Sequence, residues 1–150
     1  MKYTSFGKTG LRVSQVALGT GNFGTGWGHG ADPDTSTAIF NAYAEAGGNF
    51  IDTADVYQFG QSEEQLGILL EGRREDFVIA TKYSNGAQPN ANRLVTGNSR
   101  RAMVASVEAS LKRLKTDRID IYWVHHPDGL TPAEENLRGV EDLARAGKVL

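Results

Sequence analysis

Short apolar runs alternate along the chain with longer stretches in which apolar residues return every three or four positions. Tyr3 to Val16 reads as two short strands around a glycine-bearing turn. Val16-Ala17-Leu18-Gly19 is a short strand that runs into a glycine-rich loop. A helix is predicted next, capped by Asp34, with Ile39, Ala42, Tyr43 and Ala46 at helical spacing and Gly47 as its stop. Asn49 to Asp52 forms a second strand. Ser62-Glu63-Glu64-Gln65 then has the form of a capping box, with Leu66, Leu69 and Leu70 on one face of its helix. Phe77 to Thr81 is a continuous strand-type run. A long helix from about Ser99 to Lys115 aligns Met103, Val104, Val107, Leu111 and Leu114, leaving Arg100, Arg101, Lys112 and Arg113 on its solvated face. Ile119 to Val124 is a further strand. Thr131-Pro132-Ala133-Glu134, with Thr131 as the cap, starts a helix whose buried face is Leu137, Val140 and Leu143 and which Gly147 ends. Lys148-Val149-Leu150 reads as the first residues of another strand.

The order is a hairpin, four βα units and the start of a fifth strand. Alternating units with buried strands imply a parallel α/β sheet, either open and doubly wound or part of a (β/α) barrel. A complete eight-unit barrel takes ~250 residues, so four units in 150 residues fit half of one. A single domain spanning 1–150, ending after its fourth unit, is expected. The charge balance of 16 basic against 18 acidic residues gives no footprint for nucleic acid or an anionic membrane. The N-terminus lacks the apolar core of a secretory signal, and no apolar run approaches the ~18 residues of a membrane span. The chain has no cysteine. That excludes a disulfide framework, thiolate zinc sites and thiol catalysis, and fits a reducing cytoplasm. Glycine is the unusual figure: 18 residues, six of them between Gly19 and Gly30.

In parallel α/β folds, chemistry gathers at the carboxyl ends of the strands. Those ends carry Gly19-Thr20, Asp52, Lys82 and His125, and Tyr57 follows Asp52 by five residues. Singly, each has an ordinary explanation: a loop cap, a snorkelling lysine, a turn histidine, a loop aromatic. Together they make a chemical unit. A phenol is a weak acid at neutral pH. An ammonium beside it favours loss of its proton, and a carboxylate holds that ammonium in place. A neutral imidazole can orient a carbonyl oxygen. Such a set protonates a developing alkoxide but lacks a hydride source, which a cofactor must bring. Gly19-Thr20-Gly21-Asn22-Phe23-Gly24 matches the dinucleotide-binding fingerprint in letters only, because the next helix opens near Asp34, too late to meet a pyrophosphate. A metal-dependent barrel hydrolase is disfavoured, since the first and third strands offer no ligand; no metal site is expected.

The chain resembles the aldo-keto reductase family along its whole length. Lys2 to Gly10 with Val13-Ser14 is similar to the family's N-terminal hairpin, and Leu18-Gly19-Thr20-Gly21-Asn22-Phe23-Gly24 to its first-strand turn. Asp52-Thr53-Ala54-Asp55-Val56-Tyr57 followed by Gly60-x-Ser62-Glu63-x-x-Leu66-Gly67 resembles its most specific signature. Ala80-Thr81-Lys82 and Ile119-Asp120-Ile121-Tyr122 with His125-His126-Pro127-Asp128 complete the set. The resemblance implies the N-terminal half of a TIM (β/α)8 barrel whose bottom the hairpin closes. It implies reduction of a small aldehyde or ketone to an alcohol by NADPH, with NADH left open. Tyr57 is then the general acid, Lys82 its partner, Asp52 the counter-ion of Lys82, and His125 rather than His126 the carbonyl-orienting group. Thr20, Gly21, Asn22 and Asp52 fall where the family lines the nicotinamide end of the cofactor, and Trp27 is a candidate for the substrate pocket. One departure is local: the family often has glycine straight after the tyrosine, whereas Gln58-Phe59 precede Gly60 here. Two other readings stand beside the enzyme, a regulatory module that binds nicotinamide cofactor and an inactive half-barrel fragment. Self-association through open barrel edges is the expected consequence of a half-barrel.

Overall fold

Strands β1 (Tyr3–Ser5) and β2 (Arg12–Ser14) pair antiparallel as a hairpin in a computed structural model that describes all 150 residues. The sheet that follows is parallel, made of β3 (Leu18–Gly19), β4 (Phe50–Asp52), β5 (Val78–Tyr83) and β6 (Ile121–Val124). Its spatial order is the order along the chain. A doubly wound sheet reverses its strand order at a switch point; this one does not. A bridge between Ile119 and Val149 begins the next pairing on the β6 side. The fold is the hairpin and four βα units of the N-terminal half of a (β/α)8 barrel.

The helices cover the outer face of the sheet, and the core lies between the two layers. Phe40, Ile51, Leu66, Ile79, Met103, Val107, Leu114 and Ile119 are fully or almost fully buried there. At the lower end, Asp120 Oδ2 accepts from Arg74 Nη2 at 2.6 Å and from the Ile79 amide at 2.8 Å, which ties β5 to β6. The hairpin reaches under the same end. Its Phe6 ring meets Phe50 edge-on at 5.8 Å, and the Ser14 amide donates to Asn49 Oδ1 at 2.7 Å.

Helix α1 (Pro33–Glu45) is capped by Asp32, not Asp34: the Asp32 carboxylate accepts from the Thr35 amide at 2.7 Å, and Pro33 takes the first helical position. Its buried stripe is Ser36 and Phe40 with Tyr43 alongside, while Ile39 is exposed. The expected capping box at Ser62 does not form. Helix α2 (Gln61–Leu69) starts at Gly60, so Ser62 and Glu63 lie inside its first turn, fully buried and bonded to neighbouring elements. Helix α3 (Arg100–Leu114) has the expected apolar face and is capped by Ser99, whose hydroxyl accepts from the Ala102 amide at 3.2 Å. Arg113, however, leaves the solvated face to pair with Glu63 at 2.7 Å. Helix α4 (Ala133–Arg145) lacks the expected Thr131 cap because that hydroxyl donates to Asp128 Oδ2 at 2.7 Å. Leu143 is buried there, but Leu137 is 69% exposed. Gly139 sets the line on which α4 meets α3: a Cβ there would stand 2.8 Å from Met103 Sδ.

Candidate active site

The upper rim is assembled by the sheet ladder. Beyond the β4–β5 pairing, the Thr53 amide donates to Ala80 O at 2.9 Å and the Asp55 amide to Lys82 O at 3.1 Å. These bonds carry residues 53–55 along β5 and bring Tyr57 back over its end. Lys82 Nζ then lies 2.6 Å from Asp52 Oδ2, 2.8 Å from Thr53 O and 3.1 Å from Tyr57 Oη. An ammonium has three protons and no lone pair. All three are committed, so the Tyr57 oxygen accepts from Lys82, and the phenol's own proton has no acceptor in the chain. The Lys82 charge also sits 4.8 Å from the centre of the Tyr57 ring.

His125 follows β6, where its amide donates to Tyr83 O at 2.9 Å. Its ring stands edge-on to Tyr57 at 5.7 Å and stacks on His126 at 4.5 Å. Burial, with the adjacent His126 and Lys82 charges, pushes the imidazole pKa below its ordinary value, against the pull of Asp52. The ring is therefore neutral at pH 7. Nδ1 is buried without a partner. A buried orphan acceptor is tolerated better than a buried orphan donor, which favours the tautomer with its proton on Nε2. Trp27 completes the rim, edge-on to Tyr57 at 6.2 Å.

Below these groups runs an open trough of about 680 Å³ lined by Gly19, Asp52, Lys82, Trp123 and His125, with Phe6, Ala17 and Phe50 further down. Gly21 borders the Tyr57 ring and Asn22 is exposed beside it. Thr20 is different. It is fully buried, with its hydroxyl bonded to Asp52 O at 3.1 Å and Ser62 Oγ at 2.8 Å. Ser62 in turn donates to Thr20 O and contacts Thr53 Oγ1, each at 2.9 Å. Thr20 therefore holds β3 to the β4 loop and presents no side-chain atom to the trough.

Three features escaped the sequence reading. Ser62 was visible as a polar residue before an apolar run, which is also how a cap looks. Behind the rim, Glu63 accepts from Thr81 Oγ1 at 2.6 Å and from Arg113 Nε at 2.7 Å, with no exposure of its own. Asp55 lies beside that pair, 1% exposed, with both carboxylate oxygens unpartnered. Burial and the Glu63 charge push its pKa up to about 7, with Arg113 opposing. Gln58 is the third. It is fully buried, although no periodicity marked it, and its only signal was its place straight after Tyr57. Gln58 and Phe59 both have left-handed backbone, φ 51° and 55°. Such a conformation costs roughly 1–2 kcal/mol for each non-glycine residue.

The sequence model of the Aldo/keto reductase family matches residues 15–150. Curated relatives match most of the chain. It is 43% identical to the aldo-keto reductase YhdN of Bacillus subtilis, over 99% of this chain and 45% of that protein. It is 43% identical to an aryl-alcohol dehydrogenase [NADP(+)] of Phanerodontia chrysosporium, over 94% of this chain and 40% of the relative. The norsolorinic acid reductase stcV of Emericella nidulans is 39% identical over 94% of this chain and 39% of its own length. The chain thus spans less than half the length of each.

Proposed function

Because the chain belongs to the aldo-keto reductase family, we propose that it carries the proton-donating side of a site that reduces aldehyde or ketone carbonyls with a nicotinamide cofactor, NADPH in the first instance. The observation that carries this reading is the donor count at Lys82. With its three protons given to Asp52, Thr53 and Tyr57, the phenolic proton alone is free to move toward a ligand.

The cofactor, when bound, supplies hydride. The residues present suit its nicotinamide end. The trough volume is that of a small-molecule site, Gly19 lines it, and Asp52 and Lys82 neutralise each other within it. No second cation lines the trough to meet phosphates, so these residues would hold the ring and little beyond it. In the reaction, neutral His125 donates from Nε2 to the carbonyl oxygen and aims it at Tyr57. As negative charge develops on that oxygen, Tyr57 Oη delivers its proton. The Lys82 ammonium stabilises the phenolate left behind, and Asp52 keeps Lys82 charged and aimed.

The test is aldehyde-dependent loss of NADPH absorbance, measured on this chain alone and on this chain joined to the second half of the B. subtilis relative. Tyr57→Phe should lower turnover by at least ~10²-fold, the usual range for loss of a general acid, with cofactor affinity nearly unchanged. Turnover close to that of the parent would refute Tyr57 as the donor. A module that only holds cofactor would bind NADPH equally with and without Tyr57 and turn over nothing. The open strand edges, with Trp123 and Val124 exposed on β6, lead us to expect self-association, read by sedimentation of the purified chain; a sharp monomer would contradict it.

A further inference from the structure

The loop from Gly21 to Ala31 lies over the rim, and its neck is closed by backbone alone. The Gly24 amide donates to Ala31 O at 2.8 Å and the Ala31 amide to Asn22 O at 2.6 Å. Beyond that neck, residues 24–30 project with Trp27 near their tip. Four of the seven are glycine, so the segment has little intrinsic reason to keep one shape. Trp27 nevertheless has a defined place, edge-on to Tyr57 at 6.2 Å and to Phe59 at 6.3 Å.

The side chain that enforces this place comes from the Tyr57 loop. Gln58 Nε2 donates to Gly21 O at 3.1 Å, and Gln58 Oε1 accepts from the Trp27 amide at 2.9 Å. One amide thus spans the loop from its first residue to its tip. The fit extends to backbone: a Cβ at Gly26 would stand 2.5 Å from Gln58 O. Gln61 adds a second hold, accepting from the Thr25 amide at 2.8 Å. The left-handed φ of 51° at Gln58 follows from the same arrangement. The backbone turns against its preference where that turn directs a buried amide at the loop.

We propose that Gln58 is a positioning residue, a two-point clamp that fixes the glycine loop and thereby sets Trp27 beside Tyr57 as a wall of the site. The clamp acts through Trp27 and touches no reacting atom. Only its effect on substrate rests on the carbonyl-reductase reading; the loop geometry does not.

The experiment uses the full 150-residue chain with Trp123→Phe, so that Trp27 is the sole tryptophan. Acrylamide quenching and near-ultraviolet circular dichroism report the Trp27 environment, and thermal unfolding reports the fold. Gln58→Gly suits a positive φ while deleting both clamp bonds. It should leave cooperative unfolding intact, flatten the Trp27 dichroism and raise the quenching constant roughly twofold, since the residue starts 37% exposed. Gln58→Glu keeps the acceptor but places a carboxylate against Gly21 O. At pH 8 it should behave like the glycine variant. At pH 4.5, where its carboxyl regains a proton to donate, the parent signal should return. The parent is read at both pH values because His29 lies 6.1 Å from the Trp27 ring. Should Gln58→Gly not fold, the pH-dependent return in Gln58→Glu decides alone. A quenching constant equal to the parent's in whichever variant folds, at both pH values, overturns the clamp, whether or not the chain reduces a carbonyl.

Discussion

Two ion networks sit back to back on the Asp52–Tyr57 loop, each built from carboxylates and a cation but toward opposite ends. On the trough side, one carboxylate meets one ammonium: Asp52 and Lys82 are 2.6 Å apart and both keep some contact with water. On the helix side, two carboxylates share one guanidinium. Glu63 takes Arg113, the glutamate is removed from solvent completely while the arginine keeps a small exposure, and Asp55 is left buried without a partner. The charge count decides what each can do. The balanced pair keeps Lys82 charged and spends all its protons, which frees the proton of Tyr57. The unbalanced trio has one negative charge too many for a dry site, so Asp55 holds a proton until about pH 7. The difference shows that a buried pair locks two elements together, whereas the pair at the rim leaves a neighbouring phenolic proton without a partner in the chain.

The largest effect on stability should come from breaking the dry pair. Arg113→Met leaves Glu63 as an uncompensated buried charge, which costs about 3–5 kcal/mol. Chemical denaturation at pH 7.5 measures it. Glu63→Met combined with Arg113→Met removes both charges and should recover most of the loss. If the double variant is no better than the single one, the pair's geometry matters more than its charge. Next comes Asp55→Asn. The native carboxyl binds its proton more tightly than the unfolded one, so stability falls as pH rises from about 4 to about 7, by about 1.4 kcal/mol per pH unit at most. The amide removes that slope, and at pH 8 the variant should be more stable than the parent by on the order of 2 kcal/mol. A parent and variant with parallel pH–stability curves would show that Asp55 is already ionised. Lys82→Met should cost far less in folding, about 1 kcal/mol, because Asp52 is 33% exposed and water replaces its partner. The smallest effect belongs to Arg100→Ala. Its pair with Asp142 is about half exposed on both sides, and its loss should stay below ~0.5 kcal/mol.

What could be read beforehand divides along a physical line. Strand runs such as Phe77 to Thr81 and the apolar face of α3 declare themselves by period, and parallel order follows from their alternation with helices. Strand ends then place Asp52, Lys82 and His125 at one rim without knowledge of any contact. Local signals whose meaning depends on a neighbour misled. Ser62-Glu63 has the letters of a cap but supplies buried partners to Thr20 and Arg113. Arg113 belongs to the basic side of its helix by sequence, yet turns inward because Glu63 waits there. Leu137 has helical spacing, but α4 rests on α3 along the narrow line at Gly139, and the leucine falls outside it. Asp34 and Asp32 are equally plausible caps by composition; Pro33 at the first helical position selects the earlier one. Gln58 gave the least warning, because a buried glutamine is specified only by the two backbone groups it satisfies.

The chain-ordered sheet has a consequence for how the protein is made. Within the parallel sheet every strand after the first pairs with the one synthesised just before it, and the Ile119–Val149 bridge shows the next pairing beginning at the same moving edge. A ribosome adds about 5–20 residues per second, so a unit of roughly thirty residues takes a second or more to emerge. Helices and local contacts form in microseconds. Each unit therefore has time to settle on its predecessor before the next arrives, and no strand has to wait for a distant partner. The glycine loop breaks this sequence: it leaves the ribosome before Gln58, and must stay loose until the residue that holds it has been translated.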